Sequence, residues 1–282
     1  MNLYPLKFKP ILKERLWGGT KLKEVLNKNI ESDITGESWE LSGVEGDISK
    51  VANGALVGTS LHSLMDDQGE ALLGKGVVER FGNEFPILIK FIDAKQDLSI
   101  QLHPNDELAK EEGTLTDLMN YEEVGEGDTF FINTGKIHAI GAGVLLAEIQ
   151  QTSDITYRVF DFNRRDKEGN LRELHTCLAV DAIDYEKKDD FKVDYPKQKD
   201  IVNPMVDCPY FKTNFMELSQ SMKLDLSQRD SFTIYMCVGG TATINNDWGS
   251  APIKKGETIL VAASSSYVKI DTQGAKLLEV TI

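Results

Sequence analysis

One short stretch of strand-like sequence, Ser99-Ile-Gln-Leu-His103-Pro, concentrates residues that could do chemistry. In a β-strand the period of two would place Ser99, Gln101 and His103 on one face and the apolar residues on the other. Buried polar side chains need partners, so three of them on one face indicate a pocket rather than a core. Together with His138 from a facing strand, Gln101 and His103 would offer an amide oxygen and imidazole nitrogens, which suit Zn²⁺ or a related divalent ion. The alternative is that His103 is a hydrogen-bonded core histidine that precedes a turn.

Two cations stand inside otherwise apolar strand-like sequence. Arg158 lies between Asp154 and Asp161, and it could face an oxyanion or a phosphate in the same pocket. The alternative for Arg158 is a structural ion pair with one of those two aspartates. Lys90 is explained either by an exposed edge strand or by a phosphate contact. His175, at the predicted start of a helix, is interpreted as a capping or supporting group.

The elements that must position these residues are mostly short strands. The predicted strands cover residues 85–93, 98–103, 129–133, 144–150, 156–160, 211–218, 232–238, 241–244, 257–261, 267–270 and 276–282. The predicted helices cover residues 59–65, 69–81, 106–112 and 174–183. Strands this short and this regularly spaced favour an antiparallel sandwich or barrel over alternating βαβ units.

An internal repeat indicates two related barrels. The segment from Gly127 to His138 has a turn glycine, an acidic residue, a threonine and an apolar run, and the segment from Gly256 to Ser266 has the same layout. Ser266 stands where the first copy has His138, so only the first barrel would keep a metal ligand. The polar stretch 185–200 is interpreted as the connection between the two barrels. This predicts a catalytic domain at 1–190 and a smaller domain without metal ligands at 191–282.

The composition of the chain excludes some classes of binding partner. The 282 residues include 31 basic and 45 acidic side chains, for a net charge of −14. Such a surface repels a phosphate backbone, so we expect no nucleic-acid partner, and no apolar run is long enough to predict a membrane span or a secretion signal. Cys177, Cys208 and Cys237 form no CxxC motif and predict reduced thiols in a cytoplasmic protein.

The motifs together resemble the type I mannose-6-phosphate isomerases of the short bacterial kind. They follow one another in that family's order: Arg15-Leu-Trp-Gly-Gly-Thr, Gly36-Glu-Ser-Trp-Glu-Leu-Ser, Leu88-Ile-Lys-Phe-Ile-Asp-Ala, Leu98-Ser-Ile-Gln-Leu-His-Pro, His138-Ala-Ile-Gly-Ala-Gly-Val, Gln150-Gln-Thr-Ser-Asp-Ile-Thr-Tyr-Arg-Val-Phe-Asp and Leu171-Arg-Glu-Leu-His. The tail resembles the family's smaller second cupin domain.

The resemblance implies a mainly β fold of two cupin-type (jelly-roll) barrels with a few helices. It also implies one Zn²⁺ per chain and interconversion of mannose 6-phosphate and fructose 6-phosphate through an enediolate. By position, the metal ligands would be Gln101, His103 and His138. Arg158 matches the active-site arginine, and Lys90 and Ser99 match residues at the substrate end of the pocket.

Two other functions are compatible with a cupin fold. One is a non-catalytic cupin that binds or senses a sugar phosphate. The other, an iron-holding cupin oxygenase, is disfavoured because a glutamine ligand and paired cations suit a phosphosugar better than O₂ chemistry.

The sequence departs from the family pattern at two places. Asn133 replaces a proline that is usual in cupin motifs. After Glu112, family members usually continue for several tens of residues with a Gly-Lys-x-Glu-x-Trp-Tyr motif, whose glutamate is a zinc ligand, whereas here the chain passes directly to Thr114. Either the chain has lost that segment or the sequence omits it.

Overall fold

The computed structural model describes residues 3–102, 119–153, 155–166, 168–184 and 191–282. The described residues are mainly β, as predicted, with few helices. The strands are β1 (Leu6–Lys7), β2 (Ile11–Gly19), β3 (Thr35–Leu41), β4 (Ile87–Ala94), β5 (Ile100–Leu102), β6 (Val144–Gln151), β7 (Tyr157–Phe160), β8 (Asn203–Asp207), β9 (Lys212–Leu218), β10 (Met222–Asp225), β11 (Thr233–Asn246), β12 (Gly249–Lys254), β13 (Thr258–Val261) and β14 (Tyr267–Thr281). The helices are α1 (Lys21–Glu24), α2 (Leu61–Leu73), α3 (Lys75–Phe81) and α4 (Thr176–Val180), with a 3₁₀ turn at Gly54–Leu56.

The strands form three sheets among the described residues, and every pairing of named strands is antiparallel. The largest follows the order β1-β13-β11-β14-β9-β8, with β10 beside β14 and β12 beside β11. A four-stranded sheet has the order β2-β3-β4-β6, and β5 pairs with β7 in a two-stranded sheet. The antiparallel arrangement predicted from strand length and spacing is therefore present.

Strand β11 shows why the core has two parts. Ile234 and Met236 are buried in a core shared with α2 and the four-stranded sheet, whereas Tyr235 and Cys237 are buried in a second core inside the largest sheet. Since successive side chains of a strand point to opposite faces, one apolar strand supplies both cores. The first core also joins residues on both sides of the predicted domain boundary, and the division into residues 1–190 and 191–282 stays a prediction.

The helices follow their apolar spacing. In α2 Leu61, Leu64 and Met65 are buried at helical spacing, and the helix is interrupted by a kink at Gln68 (φ −147°). The Ser60 hydroxyl accepts the backbone N–H of Ser63 at the N-terminus. The predicted helices 59–65 and 69–81 become α2 and α3, which meet at Gly74 (φ +99°). The predicted helix 174–183 is shorter, at Thr176–Val180, and the predicted helix 106–112 lies outside the described residues.

Three strand predictions differ from the structure. The predicted pairs 232–238 with 241–244, and 267–270 with 276–282, are each one continuous strand, β11 and β14. Gly239-Gly240 looks like a turn in the sequence, but here it accommodates a β-bulge, and a Cβ on Gly240 would lie 2.0 Å from the Gly274 carbonyl oxygen. The predicted strand 129–133 is wrong, because in the described chain its pairing is limited to one bridge between Phe130 and Lys192.

In the ranges that the structure describes, no helix combines the length and the apolar composition needed to cross a membrane.

Candidate active site

Three of the predicted site residues lie side by side across adjacent chain segments. The backbone N–H and C=O of Gln101 both bond to His138, at 3.0 and 2.9 Å, and Gln101 also stands opposite Arg158 in the β5–β7 pair. Residues directly opposite each other in antiparallel pairs project to the same face, so the three side chains share one face. We call His138, Gln101 and Arg158 the transverse row. Because His138 uses the backbone bonds of Gln101, the Gln101–Arg158 pair is the non-hydrogen-bonded kind, in which side chains lie closest.

The imidazole of His138 has a defined tautomer. Its Nδ1 lies 2.9 Å from the carbonyl oxygen of Lys136. A carbonyl can only accept a hydrogen bond, so Nδ1 carries the proton and Nε2 carries the lone pair. Metal-binding histidines are commonly oriented in this way, by a carbonyl that accepts the proton of the other ring nitrogen.

Ser99 is placed beside Gln101, as the strand period predicts. Its side chain is buried, and its Oγ donates to the Gln101 Oε1 at 3.4 Å. The bond is long, and it places the amide oxygen of Gln101 beside the Ser99 hydroxyl. His103 lies outside the described residues, so its place beside Gln101 and Ser99 stays a prediction.

Arg158 is half-buried, and its contacts bear on the ion-pair alternative. Its Nη1 donates to the Glu173 carbonyl at 2.9 Å, and its buried Nε has no hydrogen-bond partner among the described residues. Burial lowers the pKa of Arg158, and the nearby charge of Arg172 lowers it further, although an arginine stays charged at neutral pH.

The carboxylate of Asp161 forms its direct ion pairs with Arg164 and Arg172. Asp154 lies outside the described residues. An ion pair with Asp161 is therefore not what holds Arg158, and the site gains three guanidinium groups within a chain of net charge −14.

Lys90 lies in the four-stranded sheet rather than in the transverse row. Its strand β4 runs between β3 and β6, so the edge-strand explanation for Lys90 is wrong. The ammonium is 2.8 Å from the Glu148 carboxylate, donates to Gln150 at 2.9 Å, and lies 5.4 Å from the centre of the Trp39 ring. A buried ammonium needs such partners, and these contacts place Lys90 within a polar network.

The same face of the four-stranded sheet holds charged residues to which the sequence reasoning gave no role. Glu37 forms a two-point ion pair with Arg15, at 2.8 and 2.9 Å, and accepts the Trp39 indole N–H at 2.7 Å. Burial alone would raise the pKa of Glu37, but the ion pair with Arg15 and the nearby Lys90 hold it below its ordinary value. The sequence contains a signal for this network. Glu37 and Trp39 are two residues apart in one strand, as are Glu148 and Gln150, and residues at this spacing share a face.

A small apolar cluster relates the two sheets. Ile92 and Leu146 lie two residues from Lys90 and Glu148 on the same face, and they belong to one cluster with Leu98 and Ile140. Leu98 precedes Ser99, and Ile140 follows His138 by two residues. The four-stranded sheet and the segments that carry Ser99 and His138 are therefore joined through this apolar cluster.

The donors present in the described residues fit a divalent metal in part. Gln101 and His138 offer an amide oxygen and an imidazole Nε2 from directly paired positions. No group of three or more His, Cys, Asp or Glu side chains converges within the described ranges. The predicted set would not form such a group there, because one ligand is a glutamine and another is His103.

The two copies of the internal repeat share their turn. Gly127 and Gly256 both have left-handed backbones, with φ of +85° and +87°, which a residue with a Cβ rarely adopts. The second copy continues into β13, whereas the first does not form a strand in the described chain. The predicted equivalence of Ser266 and His138 is off by one residue, because His138 follows Gly127 by 11 positions and Ser266 follows Gly256 by 10. The residue at the matching offset is Tyr267, and Ser266 donates its hydroxyl to Asp247 at 2.5 Å.

Family models match both parts of the chain. The model for the "Phosphomannose isomerase type I, catalytic domain" matches residues 5–130, and the model for the "Mannose-6-phosphate isomerase, cupin domain" matches residues 201–280. These matches confirm the family resemblance and the predicted fold class, a mainly β protein of cupin-type domains with few helices.

Relatives and a solved structure agree over nearly the whole length. Mannose-6-phosphate isomerase ManA of Bacillus subtilis is 31% identical over 313 aligned positions, covering 96% of this chain and 97% of that protein. A probable mannose-6-phosphate isomerase of the same organism, GmuF, is 32% identical and covers 82% of this chain and 83% of its own length. The crystal structure of the mannose 6-phosphate isomerase from Bacillus subtilis superposes with a TM-score of 0.85 at 27% identity, covering 99% of this chain and 100% of that one.

The alignment with ManA is longer than this chain, which has 282 residues. Part of that relative therefore has no counterpart here, and the gap after Glu112 stays a prediction.

Proposed function

Because the chain belongs to the type I phosphomannose isomerase family, we propose that it interconverts mannose 6-phosphate and fructose 6-phosphate in a zinc-dependent reaction. The carbonyl group moves between C1 and C2 by proton transfer through an enediolate. The observation that carries the proposal is the transverse row, where an amide oxygen, an imidazole nitrogen and a guanidinium from three chain segments share one face.

The metal would be held by Gln101, His103 and His138. When bound, Zn²⁺ would polarise the sugar oxygens as a Lewis acid. The contribution of the protein is orientation: Ser99 directs the Gln101 oxygen, and the Lys136 carbonyl fixes the His138 tautomer with its lone pair on Nε2. The donor set supports this ligand assignment.

Arg158 supplies fixed positive charge where the reaction develops negative charge. Its backbone is held in a strand directly opposite Gln101, so its guanidinium belongs to the same pocket face as the proposed metal ligands. Charge that is already oriented costs no reorganisation when the enediolate forms, and this electrostatic preorganisation is commonly a large part of catalysis. Arg158 is thus proposed to act on the reacting oxygens.

Lys90 and Ser99 are proposed to bind the substrate end of the pocket. The Lys90 ammonium is already compensated by Glu148, so it would bind an anion more weakly than an unpaired lysine. Positive potential from Arg158, together with the net positive charge that Arg164 and Arg172 keep after pairing with Asp161, would draw an anionic sugar phosphate toward the row against a negatively charged surface.

The test is conversion of mannose 6-phosphate by purified protein that has been dialysed and then supplied with zinc. We expect fructose 6-phosphate to form with deuterium from D₂O at C1, because the group that removes the C2 proton of mannose 6-phosphate exchanges it with solvent before a proton is delivered to C1. Complete retention of the substrate hydrogen after many forward and reverse turnovers in D₂O would contradict the enediolate. No product with zinc present would contradict the proposed activity.

A further inference from the structure

The backbone of Arg158 is held by His175 in an unusual way. The His175 N–H donates to the Arg158 carbonyl at 2.7 Å, as in an ordinary antiparallel pair. The return bond does not go to the His175 carbonyl. Instead, the Arg158 N–H donates to the Nδ1 of the His175 ring at 3.0 Å. A side chain here completes a backbone pairing.

The start of helix α4 explains why the ring of His175, and not its carbonyl, accepts the Arg158 N–H. His175 is the N-cap of α4, and its carbonyl accepts the Ala179 N–H at 2.8 Å in the first helical turn. That carbonyl therefore points along the helix and not toward β7. Without the imidazole, the N–H of Arg158 would lose its acceptor, which is costly at a partly buried position.

The preceding residues hold the side chain of Arg158 as well. The Glu173 carbonyl accepts a bond from Nη1 at 2.9 Å. The segment 173–175 thus contacts Arg158 at its guanidinium, its N–H and its C=O. On the opposite edge of β7, Arg158 faces Gln101. The position of the guanidinium relative to the row is consequently set by this segment.

We propose that His175 is a positioning residue for Arg158: its Nδ1 replaces a backbone acceptor and fixes the depth at which the arginine enters the pocket. This rests on the proposed function, in which Arg158 acts on the reacting oxygens. His175 itself contacts neither the sugar nor the metal in this proposal. Its effect passes through the β7 backbone.

Substitutions at residue 175 can test where the hydrogen-bond acceptor for the Arg158 N–H has to lie. The acceptor must lie at the Nδ1 position, with no proton there. An asparagine Oδ1 reaches about the same place, whereas the polar atoms of glutamine extend to the Nε2 position and alanine has no acceptor. His175→Asn and His175→Gln are therefore a matched pair of similar polarity that differs in where the acceptor lies.

The experiment measures kcat, KM and zinc content for these variants with His175→Ala as a third. We expect kcat to fall roughly 10- to 100-fold in the Gln and Ala variants, the scale of a displaced catalytic group. We expect His175→Asn to recover most of it, and KM and zinc content to change less than threefold throughout. Equal activity of the Asn and Gln variants would overturn the proposal, and this comparison stands even if the alanine variant fails to fold.

A second measurement separates action through Arg158 from a general loss of structure. In an Arg158→Lys background, His175→Gln should lower kcat by less than threefold, because the arginine that it positions is already gone. Full additivity of the two losses would contradict the proposal.

Amide hydrogen exchange at Arg158 needs no activity. It should become faster in the Gln variant and stay slow in the Asn variant. An inactive wild-type protein with this exchange pattern would count against the isomerase function and leave the contact intact, whereas an unchanged exchange rate would count against His175.

Discussion

His138 is fixed at two points, its backbone pairing with Gln101 and its Nδ1 bond to the Lys136 carbonyl. Removing the ring should remove a ligand and leave the backbone pairing with Gln101 in place. We expect His138→Ala, and likewise His103→Ala, to lower zinc content sharply in a folded protein, since a site with few protein ligands cannot lose one and keep its geometry.

Zinc per chain, measured by elemental analysis after dialysis, checks this prediction. His62→Ala is the matched control, because His62 lies on α2 with its ring near the Gly43 carbonyl and outside the row. Wild-type zinc content in the His138→Ala protein would refute the ligand assignment.

Arg158 should affect turnover more than stability. Arg158→Lys keeps the charge but loses the planar guanidinium that can meet two oxygens at once. We expect kcat to fall about 100-fold, the scale of losing one well-placed electrostatic donor, with little change in Tm. Steady-state kinetics and thermal melts measure both quantities.

Arg165→Lys provides the comparison for this prediction. Arg165 is exposed and donates to the Gly169 carbonyl in a nearby turn, so its replacement should leave kcat unchanged. A nearly fully active Arg158→Lys protein, together with an unstable Arg158→Ala protein, would show that Arg158 is structural.

At the scale of elements, Asp161 joins the end of β7 to the loop that follows. It accepts from Arg172 at 2.6 Å and from Arg164 at 3.2 Å, and both of these residues come later in the chain. Burial alone would raise the pKa of Asp161, but the hydrogen bonds from Arg172 and Arg164 lower it below its ordinary value of 3.8. The ionised carboxylate is therefore the form that the fold stabilises.

The lowered pKa of Asp161 predicts a pH-dependent loss. Asp161→Asn should reduce the free energy of unfolding by about 2–3 kcal/mol at pH 7, the scale of hydrogen bonds to a charged group. The wild-type advantage is present above the unfolded pKa and is lost as pH falls through the lower folded pKa, so the two proteins should converge only below about pH 4.

Denaturant titrations of both proteins between pH 3 and pH 7 measure the difference. The exposed Glu168→Gln is the control for removing one negative charge from the same loop. An Asp161→Asn deficit that stays constant over this pH range would contradict the argument.

The sequence predicted those features that depend on local periodicity alone. It did not predict features that depend on contacts with residues distant in the chain. Ser99 and Gln101 could be assigned to one face because alternation alone determines it. The interior position of Lys90 depends on the order β3-β4-β6, which no local pattern reveals. The role of His175 in the backbone of β7 was also hidden, because it depends on where α4 takes the carbonyl.

Glycines gave the opposite error. The predicted strands stopped on either side of Gly239-Gly240, but β14 pairs with β11 on both sides of these glycines, and β11 continues through a bulge. The paired turns at Gly127 and Gly256 were predicted correctly, since a left-handed φ is a local requirement that glycine meets.

At the scale of the whole molecule, we expect the predicted second domain, residues 191–282, to bind no metal ion tightly. All four histidines of the chain precede residue 176. The interior of the largest sheet holds Glu279, fully buried, which accepts from Arg229 at 2.9 Å, Tyr235 at 3.1 Å and Asn214 at 2.8 Å. A carboxylate with three donors already has its partners and gains little from a cation.

We therefore expect no more than one tightly bound zinc per chain. Zinc titration of metal-stripped protein, followed by calorimetry, gives the stoichiometry. Any tight zinc binding that remains in the His138→Ala protein measures a second site directly. A second tight site, unaffected by that substitution, would contradict the assignment of one metal centre.

Strand β1 pairs with β13, and its Lys7 forms an ion pair with Glu257, 250 residues further along the chain. Strand β1 is synthesised long before β13 and must therefore wait for it before it can join the largest sheet. Contacts of such separation are slow to form, because a long loop has to close first. Until β13 has been synthesised, β1 is exposed to proteases and chaperones, and the largest sheet gains this edge strand late in folding.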